Sequence, residues 1–113
     1  MPITKLVLAL GILPLATAVS AADILYEESI ARQEEQRIID SPIAGIENSL
    51  WFDYRIDILE AQEELVSDLR RASDLEDQRD VWEEYANELS HERRDYIEEM
   101  AERGYRDFTI TME

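Results

Sequence analysis

Glu88-Leu89-Ser90-His91 sets a carboxylate and an imidazole three residues apart, with Glu84 and Asp95 one helical turn to either side. On a helix, Glu and His at that spacing share a side, which is how carboxylate-bridged di-iron bundles gather their ligands. Glu84, Glu88, His91 and Asp95 are therefore the candidate ligands for a divalent ion such as Zn²⁺ or Ca²⁺. The competing reading is a solvated acidic face that carries one histidine. Metal-holding bundles aim their ligands inward, whereas at ~100° per residue His91 points about 200° away from the apolar face around Leu89. The solvated face is the stronger expectation.

Other reactive chemistry is hard to build from this composition. His91 is the sole histidine, there is no cysteine, and the only glycines are Gly11, Gly45 and Gly104. No cysteine is available as a nucleophile, nothing resembles a phosphate-cradling glycine loop, and the single histidine argues against a Ser/His relay. Ser90 and His91 are neighbours in sequence and so point in different directions from one helix. The stretch from Asp74 to Tyr85 fails as a calcium loop, because Arg79 and Tyr85 stand where the loop needs Gly and a bidentate Glu. Trp51 and Trp82 sit at helical spacing beside aliphatics and read as core. Arg55, Arg70, Arg71, Arg93 and Arg94 mostly have acids three or four residues away, so intrahelical pairs are their expected partners. No enzyme activity and no cofactor are expected.

These side chains need helices to carry them, and the middle of the chain supplies them. Between Ile46 and Arg103 there is neither Gly nor Pro, and apolar residues recur at intervals of three and four. Leu50, Tyr54, Ile58, Ala61, Leu65, Leu69 and Ala72 fall in a band about 100° wide. A second apolar band, Phe52, Ile56, Leu59 and Val66, lies on nearly the opposite side, so this helix is expected to be central or to carry a partner surface. Further on, Val81, Trp82, Tyr85, Leu89, Tyr96 and Met100 share one face, widened by Ala86 and Ile97. Gly104 sits where a helix C-cap belongs.

The stretches LWFDYRIDI at 50–58 and VWEEYANEL at 81–89 follow one template. A single rod over 47–103 would be roughly 85 Å long. The alternative is a turn near Ala72–Asp77, where Ser73-Asp74-Leu75-Glu76 has the form of a capping box. A fold about residue 74 pairs positions whose numbers sum to about 148, so that each Trp covers the far end of the other helix. The hairpin gives both copies equivalent work and is the preferred expectation, with helices over about 47–72 and 74–103.

Upstream, Ile24, Ala31 and Ile38 recur at sevens and predict a weaker helix over about 24–39, stopped by Asp40-Ser41-Pro42. It is the natural candidate to cover Phe52, Ile56, Leu59 and Val66; otherwise a second copy of the chain is expected to do so. The predicted fold is thus all-α, an antiparallel helical hairpin with a weaker N-terminal helix, completed as a three-helix bundle or as a dimeric four-helix bundle. Past Gly104, Phe108, Ile110 and Met112 alternate with polar residues, the period of a strand, and residues 104–113 read as a tail.

Residues 1–21, MPITKLVLALGILPLATAVSA, have the charge, apolar core and small-residue end of a signal peptide; an uncleaved anchor is the alternative. Residues 22–113 then form one small domain, expected in a bacterial periplasm or beyond. Cleavage leaves ten basic residues, all arginine, against 27 acids. That charge disfavours nucleic acid and anionic membranes as partners and favours cations or basic proteins. The expected function is non-catalytic: a protein-binding or accessory factor acting through exposed helix faces, or by self-association as a dimer. The alternatives are a divalent-cation buffer and an inhibitor of a basic extracytoplasmic enzyme.

Overall fold

A computed structural model describes residues 24–106. Residues 1–21 and the alternating stretch with Phe108, Ile110 and Met112 lie outside the described residues. Three α-helices follow in order: α1, Tyr26–Gln36; α2, Ser49–Arg71; and α3, Leu75–Glu102. A single 3₁₀ turn, Ile43–Gly45, interrupts the connector between α1 and α2. Among the described residues there is no strand. The all-α class and the hairpin are as the sequence predicted, with each helix one to three residues shorter at its ends.

Local chemistry sets those ends. Asn48 caps α2, its Oδ1 accepting a hydrogen bond from the Trp51 amide at 3.1 Å. Between the hairpin helices, Asp74 caps α3 by accepting from the Asp77 amide at 2.8 Å, and Asp77 accepts from the Ser73 amide and hydroxyl at 3.1 and 2.9 Å. The start signal is therefore read one residue later than expected: Asp74 is the cap, and Asp77 reaches back past it to the Ser73 amide and hydroxyl, a variant of the capping box. Those donated bonds hold the Asp77 carboxyl below the usual range. At the far end, Gly104 at φ +90° lets its own amide reach Ala101 O and the Tyr105 amide reach Met100 O, both at 2.9 Å. That is a Schellman closure of the predicted glycine cap.

The hairpin register matches the sum rule. Trp51 and Tyr54 lie against Tyr96, with ring centroids at 5.8 and 4.9 Å, and Asn48 Nδ2 meets Met100 Sδ at 3.5 Å. Both halves of the sequence repeat are buried, Trp51 and Tyr54 in α2 and Trp82 and Tyr85 in α3. Each Trp also carries an arginine over its ring, Arg55 on Trp51 at 5.7 Å and Arg32 on Trp82 at 4.8 Å.

The helix at the centre is α3, not the two-faced α2. α2 packs along one side of α3 and α1 along another. The core joins Trp51, Tyr54, Ile58 and Leu65 of α2 to Trp82, Tyr85, Leu89, Tyr96 and Met100 of α3, with Ala31 as the sole buried residue of α1. α1 therefore does not cover Phe52, Ile56, Leu59 and Val66. Its polar residues explain the choice: Glu27 pairs with Arg79 at 2.9 Å and Glu34 with Arg93 at 2.6 Å, while Arg32 lies on Trp82. Ala31, the residue of α1 that is fully buried, is small enough to let the two helices approach closely.

Three tyrosine hydroxyls fasten this N-terminal layer to the hairpin. Tyr85 donates to Glu35 at 2.6 Å. Tyr54 accepts from the Ile39 amide at 2.9 Å, and Tyr96 from the Ile43 amide at 3.0 Å. Burial raises the pKa of all three phenols, so they remain protonated. Past Ile43 the chain reverses through Ala44 and Gly45, both at positive φ (57° and 70°), and enters α2.

Candidate functional site

The four candidate metal ligands lie on α3 but do not converge. His91 Nε2 pairs with Asp95 at 3.1 Å on an exposed surface. Glu88 instead turns toward Glu64 of α2, and burial together with that neighbour raises its pKa. Glu84 is exposed, in the same shallow cleft as Glu64, Asp68 and Glu88. Among the described residues, no group of three or more His, Asp or Glu side chains is placed to hold an ion.

The acidic seam between α2 and α3 has a feature that the sequence reading missed. Glu92 stands across from Asp57 of α2. Partial burial first, then the Asp57 charge, push the Glu92 carboxyl up to about 7. The signal for this pair was the hairpin register itself, since 57 and 92 sum close to 148. Helical wheels of single helices could not reveal it.

Arg93 also departs from expectation. Rather than forming an intrahelical pair it is 3 % exposed and reaches Glu34 of α1. Arg71 does pair within its helix, with Asp68, and Arg94 donates to Ser90.

The remaining candidate is the outer face of α2. Phe52, Ile56, Leu59 and Val66 are 47, 50, 55 and 50 % exposed, although the opposite stripe of the same helix is buried. A shallow open cleft lined by Leu59, Gln62, Glu63, Val66, Ser67 and Arg70 lies along this face. α1 thus leaves the band uncovered. Glu63 and Arg70, which complete it, are not part of the band read from the sequence because they interrupt its apolar character; from the sequence, Arg70 is expected to pair within its own helix instead. Among the described helices, none is long and apolar enough to cross a membrane.

In comparisons with known proteins, no family model, no curated protein and no solved structure matches the chain.

Proposed function

We propose that the protein is a non-catalytic binding or accessory factor that engages another protein through the outer face of α2. The observation that carries this reading is the continued exposure of Phe52, Ile56, Leu59 and Val66 after the chain has folded its own N-terminal helix onto α3. Four large apolar side chains exposed on one face of a single helix, broken by Glu63 alone between Leu59 and Val66, differ from scattered surface leucines, and apolar patches mark interaction sites. The signal-like composition of residues 1–21 supports action in the periplasm or outside the cell. The acidic surface would favour basic partners and speed their approach.

The test is the double substitution Phe52→Ser and Ile56→Ser. Exposed positions remote from the core change stability by within about 0.5 kcal/mol each, so helicity and Tm should hold while binding to helical ligands is lost. A Tm drop of ten degrees or more would show that the band supports the fold, and the reading would fall.

A further inference from the structure

The exposed face has a finer order than its apolarity. Phe52, Ile56, Leu59, Glu63, Val66 and Arg70 follow one another at alternating intervals of four and three, the spacing of a coiled-coil seam. At ~100° per residue the six span about 80° of the helix, and at ~1.5 Å per residue they run about 27 Å along it. Glu63 and Arg70 are both exposed. Among the described residues, neither side chain is engaged in an ion pair. The seam is thus four apolar positions and two unmatched charges of opposite sign, each about one turn from Val66 on either side of it.

We propose that this seam docks one amphipathic helix of another protein, apolar at four positions, basic opposite Glu63 and acidic opposite Arg70. The inference rests on the reading of the band as a binding face and adds the chemistry of the partner. Charge complementarity selects that occupant over a second copy of this chain. A parallel, in-register pair of α2 helices would set Glu63 on Glu63 and Arg70 on Arg70. An antiparallel pair that keeps all six layers puts Glu63 against Leu59 and Arg70 against Phe52, with Glu60 near Glu60. The alignment that does bring Glu63 to Arg70 slides Phe52, Ile56 and Leu59 beyond the partner's helix end at Arg71. The formal charge of −16 on each copy opposes every self-pairing. Along the flanks, Asp53 and Glu60 line one edge and are exposed, whereas Arg55 on the other edge is drawn over Trp51. The partner helix therefore carries basic residues along the edge that meets Asp53 and Glu60.

The experiment uses synthetic amphipathic peptides of about three heptads, designed for both parallel and antiparallel pairing. One set places Lys opposite Glu63, Glu opposite Arg70 and Lys along the acidic edge. A second set keeps the same apolar stripe and edge but exchanges the two seam charges. Binding of each labelled peptide to the protein as isolated from expressing cells is followed by fluorescence anisotropy, with sedimentation of the protein alone alongside. The first set should bind at least about tenfold more tightly than the second, a difference of ~1.4 kcal/mol, and the variant Glu63→Lys with Arg70→Glu should reverse the preference. Equal binding by both sets would overturn the proposed partner chemistry and leave the face as a non-selective apolar contact. A dimer that the Phe52→Ser, Ile56→Ser variant dissociates would make a second copy the occupant and overturn the inference, again sparing the face. No binding by any peptide to a monomeric protein would remove both the inference and the function proposed above.

Discussion

Glu92 shows how a side chain with an ordinary sequence context acquires an unusual property from its neighbour. Facing Asp57 in a partly buried seam, with Asp95 on its own helix adding to the push and His91 opposing it, its carboxyl titrates at about 7 when folded. Because the folded pKa lies above the unfolded one, Glu92 contributes stability that is complete below its ordinary range near 4.5 and is lost as pH rises through about 7. Glu27 and Asp77 run the other way: Arg79 lowers the first and the Ser73 donors lower the second, so their contributions fade in acid. Thermal melts are expected to show Tm falling as pH rises from about 5 to about 8. Asp57→Asn should raise Tm by a few degrees at the upper end of that range and by little at the lower end. A uniform shift at all pH values would show that the two carboxylates do not communicate. The comparison with the variant is needed because the acidic surface as a whole also gains stability when it is partly protonated.

At the scale of elements, the decisive feature is the sharp break between α2 and α3. Ala72 closes α2, its amide bonding to Asp68 O at 3.0 Å, and only Ser73 and the cap Asp74 separate it from α3. Both helices are rich in good helix formers, so continuation into one rod costs little in local propensity. The caps and the buried face decide against it. Replacing Asp74 by Ala removes the acceptor for the Asp77 amide and is expected to cost about 1 kcal/mol, or roughly 4–8 °C in a domain of this size. Chemical denaturation should register the loss with an unchanged m-value; a changed m-value would point to opening of the hairpin into extended helices instead.

For the whole molecule, the question is what fixes α1 and the connector at one place on the hairpin. α1 fully buries Ala31 alone, but Leu25, Ile30, Ile38 and Ile39 pack partly buried against the core and Ile43 is fully buried; the Glu34–Arg93 and Glu27–Arg79 pairs and the tyrosine hydroxyls add directional contacts to that packing. A buried ion pair of the Glu34–Arg93 kind adds less net stability than its Coulomb attraction suggests, because both charges lose water, but it fixes which surface α1 selects. The combined substitution Tyr54→Phe and Tyr96→Phe leaves the Ile39 and Ile43 amides without their acceptors, at a cost of about 1–3 kcal/mol for each buried donor. Hydrogen exchange is expected to accelerate at those two amides and through α1 while the amides around Leu89 remain protected. Equal acceleration throughout would mean that the connector and the hairpin unfold as one unit. A layer held this way leaves the outer face of α2 untouched, which is why that face is available.

The sequence by itself determined the helices, the hairpin and its register. Those properties follow from side-chain periodicity, the capping residues and the repeat of Trp51–Tyr54 in Trp82–Tyr85, all of them local or governed by one fold-back point. It also placed Phe52, Ile56, Leu59 and Val66 in a second stripe, since the angle between stripes is set by helical periodicity, whereas the exposure of that stripe was decided by where α1 packs. Only the tertiary structure decided that α3 is the central helix, that α1 lies on α3 rather than on α2, and that Glu92 meets Asp57. Each of those outcomes depends on pairings between residues about 35 to 59 positions apart in sequence. A wheel projection treats Arg93 or Glu34 simply as a charge. The ion pair they make, and the helix it draws into place, exist only once the hairpin has brought the Arg93 face of α3 within reach of α1.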